Sequence, residues 1–186
     1  MDRVWLLTST FYGTWLPGDR RGFVSRVRDR RSSDPSSTSR FKHNRYGTDY
    51  DGDIEGIRRH AQEQMKGPPI ALRADQAGIL LAQFQETATY RKWELIAVAI
   101  LWNHVHLLVG VLGDPDPEDL LRDFKSYGSR ALNKKFGKPM SETWWTAGGS
   151  ARIRESKRAI AVGVRYIERQ KNPLLIWVSG GCQPAE

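Results

Sequence analysis

The stretch WELIAVAILWNHVHLLVGVL, residues 93–112, decides the fold predicted for this chain. Two apolar runs rich in Val, Ile and Leu flank Trp102 and Asn103, and a two-residue break between such runs is typical of a β-hairpin. Side chains along a strand alternate between its two faces, so His104 and His106 share one face. The hairpin therefore carries two imidazoles side by side in an otherwise apolar strand.

The histidine pair favours a metal site. Two neutral imidazoles on one buried face each need a partner for a ring N–H, and burial without one is costly. A divalent metal uses the lone pairs of the rings instead, and the spacing of His104 and His106 suits that role. The alternative is that one of them is a hydrogen-bonded core residue. The other two histidines, His43 and His60, lie upstream in or beside a polar segment.

Strand-like and helix-like segments alternate on both sides of the hairpin. Asp116 and Pro117 predict the start of a helix, and Gly137 after Lys134 and Lys135 predicts its end. The pattern of apolar residues predicts the other elements, which are strands at 3–12 and 174–179, a strand and turn at 143–154, and helices at 58–65, 74–93 and 155–171. This order predicts an α+β ferredoxin-like sandwich, with helices packed on one face of an antiparallel β-sheet.

A polar segment at about residues 17–56 interrupts this pattern. It is rich in Arg, Ser and Gly, basic up to Arg45 and acidic from Asp49 to Glu55, as is typical of a long inserted loop. The chain of 186 residues suits one domain spanning 1–186, with this basic loop as an insertion.

Composition narrows the classes of function. The net charge of +8 and the pI of about 9.8 favour a polyanionic partner, either nucleic acid or an anionic membrane surface. No apolar run approaches the roughly 20 residues of a membrane span and the apolar start lacks a cleavage site, so we expect a cytoplasmic protein without a membrane partner. The single cysteine, Cys182, excludes an internal disulfide and a cysteine metal cluster. The phosphate-binding loop of NTPases and the serine-hydrolase nucleophile motif do not occur in the sequence.

Tyr127 is a candidate nucleophile on the helix that follows the histidine strand. It lies among Lys125, Arg130, Lys134 and Lys135. A tyrosine beside cations and a metal site suits covalent attack on a phosphodiester. The alternative for a single helical tyrosine is core packing.

Several segments together resemble the single-tyrosine HUH transposases, in particular the small REP-associated tyrosine transposases and their insertion-sequence relatives. They are NHVHLLV at 103–109, FKSYGSRALNKKFG at 124–137, WWTAGGSARIR at 144–154, VRYIERQKNP at 164–173 and FYGTWLPGDRRGFV at 11–24. The resemblance implies the HUH endonuclease fold over nearly the whole chain, apart from the insertion between about Arg26 and Glu55.

The resemblance also implies roles for the candidate residues. His104 and His106 would bind Mg²⁺ or Mn²⁺, and Tyr127 would be the nucleophile. The insertion-sequence enzymes often supply a third ligand, an amide four residues after the tyrosine, but Ala131 stands at that position. Asp123, one turn before the tyrosine, or Asn133 is then the candidate third ligand.

The implied function is metal-dependent cleavage and rejoining of single-stranded or hairpin DNA through a 5′-phosphotyrosine, which conserves the ester energy and needs no ATP. We expect cationic and aromatic side chains to contact the DNA, namely Lys125, Arg130, Lys134, Arg21, Arg152, Arg154 and Trp102, together with Trp15, Trp144 and Trp145. Residues 20–45, with nine Lys or Arg against two acids, predict an arm along the DNA backbone, the alternative being a solvated loop without a role.

Two other functions stay open at this point. The first is a domesticated DNA-hairpin-binding module that keeps the fold without nicking. The second is a small metal hydrolase unrelated to DNA, which would leave the basic charge and Tyr127 unexplained. A homodimer is also left open.

Overall fold

A computed structural model describes residues 1–19 and 55–180 of the chain. The chain divides into two units, Met1–Thr14 with Gly67–Glu186 and Trp15–Lys66. The second unit contains helix α1, Glu55–Glu63, close to the helix predicted at 58–65. Most of the predicted insertion, including Arg21 and the basic segment 20–45, lies outside the described residues, so the single domain with an insertion stays a prediction.

The first unit contains the remaining strands and helices in the order predicted from the sequence. They are β1 (Arg3–Thr10), α2 (Ala74–Arg91), β2 (Glu94–Ile100), β3 (His104–Val111), α3 (Pro117–Phe136), β4 (Ser150–Ile153), α4 (Lys157–Glu168) and β5 (Leu175–Val178). The bounds agree with the predicted segments, and β4 is the strand of the segment 143–154, for which the sequence predicts a strand and turn. Within residues 1–19 and 55–180, no helix is long and apolar enough to cross a membrane.

Helix α3 begins and ends where its sequence predicts. The side chain of Asp116 accepts a hydrogen bond from the backbone N–H of Glu118 at 2.8 Å, and Pro117 occupies the first helical turn. Gly137 ends the helix with φ of 78°, a conformation that side chains with a Cβ rarely adopt. These signals are local, which is why the sequence alone was sufficient for this element.

The strands form one antiparallel sheet in the order β4-β1-β3-β2-β5. Strand β3 therefore lies near the centre, between β1 and β2. In the register of β1 and β3, Thr8 is opposite His106 and Thr10 is opposite His104. The predicted fold class, an α+β sandwich with an antiparallel sheet, is confirmed.

Helices cover both faces of this sheet, which corrects the prediction of helices on one face only. Helices α2 and α3 pack on the face that carries Leu7 and Leu107. Helix α4 packs on the opposite face, where Leu6, Leu108 and Ile167 form a second core. The physical reason is visible in the hairpin, because its apolar runs do not alternate with polar residues and both faces need cover.

Candidate active site

His104 and His106 lie on the α4 face of β3. Their Nε2 atoms are 3.0 Å apart, and their rings meet edge to face with centroids separated by 4.7 Å. His106 is only 4% exposed, whereas His104 is partly exposed at the end of the strand. The pair thus directs two ring nitrogens toward one point, as the strand spacing predicts.

The other nitrogen of each ring has a fixed oxygen partner. Nδ1 of His104 lies 2.6 Å from Oδ1 of Asn103, the residue before it in the turn. Nδ1 of His106 lies 2.8 Å from the hydroxyl of Thr8, its opposite residue on β1. Each imidazole is therefore held on the side that faces away from its neighbour's Nε2.

The buried imidazole is neutral at physiological pH. Burial lowers the pKa of His106 to about 3, and the adjacent His104 contributes to this shift because two positive charges would repel. A neutral imidazole keeps one nitrogen lone pair, which is the form that binds a metal ion.

Helix α4 brings a tyrosine to the same place. The side chain of Ser156 caps its first turn by accepting from the N–H of Ala159, and Gly163 lies against Leu108, where an added Cβ would be 3.2 Å from Cδ1. This close approach seats the helix on β3, and one turn later the hydroxyl of Tyr166 lies 3.3 Å from Nε2 of His106. Tyr166 is 46% exposed, so part of its side chain is open to solvent while its hydroxyl contacts His106.

Gln170 follows Tyr166 by one helical turn. Its side-chain N–H donates to the carbonyl oxygen of Tyr166 at 3.0 Å, just beyond the end of α4. The segment YIERQ therefore has an amide four residues after a tyrosine, which is the spacing that Ala131 fails to provide for Tyr127. This local signal is present in the sequence and is sufficient to mark Tyr166 as a second candidate nucleophile.

The structure does not bring Tyr127 to the histidine pair. Tyr127 lies on α3, which packs on the opposite face of the sheet, and the guanidinium of Arg130 stacks on its ring at 5.3 Å. Sequence proximity to the histidine strand suggested a common site, but the loop between β3 and α3 leads the chain to the other face.

Asp123 and Asn133 also lie on α3, on the side of the sheet opposite the histidines, and each has a structural partner there. The carboxylate of Asp123 forms an ion pair with Arg91 of α2 at 2.8 Å. The side-chain oxygen of Asn133 accepts a hydrogen bond from the indole N–H of Trp144 at 2.8 Å. The structure therefore places neither of these candidate metal ligands beside His104 and His106.

The expected DNA contacts on α3 and in the segment after it lie away from the histidine pair. Lys125 donates to the carbonyl oxygens of Thr146 and Gly148 at 2.7 and 2.9 Å, and burial lowers its pKa to about 8. Lys134 is exposed near the end of this helix. Trp144 and Trp145 are core residues, 6% and 4% exposed, which corrects their assignment as base-stacking side chains.

Other expected DNA contacts share the histidine face. Arg152 on β4 is opposite Leu6 of β1, which in turn is opposite Leu108 of β3, so its exposed side chain belongs to the face covered by α4. Arg154 follows on the same face, with its Nε atom 3.8 Å from a Cβ placed on Gly163. Trp102, in the β2–β3 turn next to the histidines, is 49% exposed.

The groups that converge at this site are two imidazole rings. Among the residues that the structure describes, no group of three or more His, Cys, Asp or Glu side chains could hold a metal ion. Two convergent imidazole nitrogens fit two positions of a divalent ion, and an amide oxygen is chemically suited to a third. His104 and His106 are therefore the two residues whose ring nitrogens converge where such an ion would fit, and Gln170 is the amide that follows Tyr166 by one helical turn.

Comparison with known proteins gives one family. Residues 71–170 match the family model described as "Transposase IS200 like". This segment contains the histidine pair, Tyr127, Tyr166 and Gln170. No protein of curated function matches the sequence significantly.

Two solved structures are similar to the chain at low identity. One is a REP-associated tyrosine transposase bound to a REP hairpin, with 14% identity and a TM-score of 0.44 over 89% of this chain; the chain spans 64% of the length of that protein. The other is a candidate transposase from Deinococcus radiodurans R1, with 24% identity and a TM-score of 0.40 over 52% of this chain and 76% of that protein.

Proposed function

The chain belongs to the IS200-like transposase family, and we propose that it cleaves and rejoins single-stranded DNA through a 5′-phosphotyrosine intermediate. In this proposal Tyr166 is the nucleophile, in place of Tyr127. His104 and His106 hold a divalent ion, Mg²⁺ or Mn²⁺, and Gln170 supplies a further ligand. The recognised DNA is a single strand beside a hairpin.

One observation carries the proposal. The hydroxyl of Tyr166 lies 3.3 Å from Nε2 of His106, which is 3.0 Å from Nε2 of His104. A phosphate oxygen at an ion held by these two nitrogens would have its phosphorus within reach of the tyrosine. Tyr127 lacks this relationship because α3 is on the other face of the sheet.

The position of Gln170 supports the choice of tyrosine. An amide four residues after the nucleophile is what the resemblance to insertion-sequence enzymes leads us to expect, and Tyr166 meets this expectation where Tyr127 does not. The side chain of Gln170 already turns back over the last turn of α4, since its N–H donates to the carbonyl oxygen of Tyr166. Its amide oxygen is the neutral oxygen donor that complements two imidazoles.

When bound, the divalent ion supplies charge stabilisation to a non-bridging phosphate oxygen and orients the ester. Tyr166 forms a bond from its phenolic oxygen to phosphorus, and the bond from phosphorus to the 3′ oxygen breaks. The tyrosine loses its proton and the departing 3′ oxygen gains one, so the step is balanced without a further reactant. A free tyrosine has a pKa of about 10, so its attack at neutral pH depends on its placement and on the charge of the site.

Charge and aromatic surface around the site support a nucleic-acid substrate. Arg152 and Arg154 lie on the same face of the sheet as the histidines, where their positive charges favour a bound phosphate backbone. Trp102, half-exposed beside Asn103, offers a ring on which a base can stack. The net charge of +8 adds sequence-independent attraction to the DNA backbone.

The test uses the two tyrosines as a matched pair. Wild-type protein, Tyr166→Phe and Tyr127→Phe are each incubated with a labelled hairpin-flanked single strand and Mn²⁺, and covalent adducts are separated on a denaturing gel. We expect adducts with wild type and with Tyr127→Phe, and loss of at least about 100-fold with Tyr166→Phe, because only the hydroxyl that attacks is indispensable. The labelled peptide should contain Tyr166. An adduct that survives in Tyr166→Phe and disappears in Tyr127→Phe would overturn the choice of nucleophile, and hairpin binding without any adduct would favour a binding module.

A further inference from the structure

We propose that Asn103 and Thr8 are positioning residues, which hold the Nδ1 sides of His104 and His106 so that both Nε2 atoms face one divalent ion. The inference rests on the proposed function, because it concerns the metal site of that function. It gives a role in metal affinity to two side chains that contact the Nδ1 atoms of the imidazoles.

Asn103 determines which nitrogen of His104 carries the proton. Its Oδ1 lies 2.6 Å from Nδ1, and a carbonyl oxygen can only accept a hydrogen bond. When the ring is neutral, this contact places its proton on Nδ1 and leaves the lone pair on Nε2, the atom that points toward His106. An imidazole that binds a metal through Nε2 needs this tautomer, and a fixed acceptor behind the ring provides it.

Thr8 holds His106 from the neighbouring strand. Its hydroxyl lies 2.8 Å from Nδ1, and a hydroxyl can either donate or accept. It donates when Nε2 of His106 carries the proton, and it accepts when the proton is on Nδ1. The ring can therefore exchange one tautomer for the other without losing this hydrogen bond, and its Nε2 lone pair becomes available to an ion.

The contact between the two Nε2 atoms shows why both Asn103 and Thr8 are needed. With the proton of His104 on Nδ1, the 3.0 Å contact is a hydrogen bond only while His106 carries its proton on Nε2. An ion shared by both nitrogens takes the place of that proton, which must then be accommodated on Nδ1 beside Thr8. Without Asn103, the proton of His104 is free to move to Nε2, where it would block the ion.

Paired variants separate this hydrogen-bonding role from shape. Asn103→Asp keeps an oxygen that only accepts, whereas Asn103→Leu has a similar size and no acceptor. Thr8→Ser keeps the hydroxyl, whereas Thr8→Val keeps the branched shape and loses it. We expect the Leu and Val variants to bind Mn²⁺ about 10- to 100-fold more weakly in calorimetric titrations of the full chain. Removing the hydrogen-bond partner of a metal-binding histidine typically lowers metal affinity by about this factor. The Asp and Ser variants should bind about as tightly as wild type.

A spectroscopic readout reports the tautomers directly. The chain has four histidines, so ¹⁵N-labelled histidine allows each ring to be assigned in the metal-free protein by NMR. His104 should be protonated on Nδ1 in wild type and in Asn103→Asp, and should populate both tautomers in Asn103→Leu. Thermal unfolding of each variant establishes that it is folded under the conditions of the titration.

Three results would overturn the positioning role: no Mn²⁺ binding by wild type, unchanged affinity and tautomers in Asn103→Leu and Thr8→Val, or equal losses in all four variants. These outcomes are independent of DNA chemistry. If the affinities and tautomers follow the expected pattern but no covalent adduct forms on DNA, the proposed function fails and the positioning role stands.

Discussion

Tyr166 and His106 are separated by 60 positions in the sequence, yet the hydroxyl of the first lies 3.3 Å from Nε2 of the second. The contact exists because α4 packs on the face of the sheet to which β3 directs its two histidines. Tyr127 is nearer to the histidines in sequence and lies on a helix of the opposite face. The choice of nucleophile is thus a choice between faces of one sheet.

The first prediction concerns metal affinity. His104→Ala and His106→Ala should each lose Mn²⁺ binding, because each removes one of two convergent nitrogens. Asp123→Asn should keep wild-type affinity, since its carboxylate pairs with Arg91 on the other face of the sheet. Calorimetric titration of the three variants decides this. Loss of Mn²⁺ binding in Asp123→Asn would restore the carboxylate as a ligand, and full binding in both Ala variants would return the histidines to a core-packing role.

The second prediction concerns the packing of α4 against β3. Gly163→Val should place side-chain atoms where Leu108 already lies, since even a Cβ would be 3.2 Å from its Cδ1. Overpacking of this kind lowers the free energy of unfolding by about 1–3 kcal/mol, and here it also moves Tyr166 away from His106. The adduct yield should therefore fall more than the folded fraction does, as urea unfolding and the gel assay would measure together.

The control for this variant is Gly78→Val on α2. Gly78 is exposed and has nothing within 4 Å of an added Cβ, so the same substitution meets no neighbour there. Its stability and adduct yield should stay close to wild type. Equal effects of the two substitutions would mean that the position of α4 on β3 does not depend on Gly163.

The third prediction concerns the pH dependence of stability. Burial lowers the pKa of Lys125 from 10.5 to about 8, so between these values the unfolded chain holds more protons than the folded one. The contribution of Lys125 to the free energy of unfolding should therefore rise as the pH increases from 8 toward 10.5. Lys125→Met should lack this rise, and urea unfolding of both proteins from about pH 7 to about pH 10 gives the difference. Parallel curves would show that Lys125 has the same pKa in both states.

The fourth prediction concerns the basic segment, which lies outside the described residues. Deleting residues 26–45 should weaken binding of single-stranded DNA similarly for all sequences. It should also flatten the dependence of log affinity on log salt, by roughly 0.7 for each phosphate contact that is lost. The cleavage position should not change, because backbone contacts do not read bases. Binding at several salt concentrations provides the measurement, and an unchanged slope would exclude the arm from the DNA backbone.

Features that depend on neighbouring residues could be predicted from the sequence. Asp116, Pro117 and Gly137 define the bounds of α3 by capping its own backbone groups, and the structure agrees with the prediction. His104 and His106 share a face because any strand alternates its side chains. The spacing of Tyr166 and Gln170 is equally local, since it consists of a tyrosine followed by an amide one helical turn later.

The assignment of each helix to a face of the sheet was decided only by the tertiary structure. Apart from Glu94, His104 and His106, both faces of β2 and β3 consist of apolar residues and glycine, so the sequence pattern of the strands does not show which face α3 or α4 covers. The path of each connection and the close fit of Gly163 against Leu108 make that choice, and both involve residues far apart in the chain. Because a side chain reaches a site only from the face on which its helix packs, Tyr166 meets the histidines and Tyr127 does not.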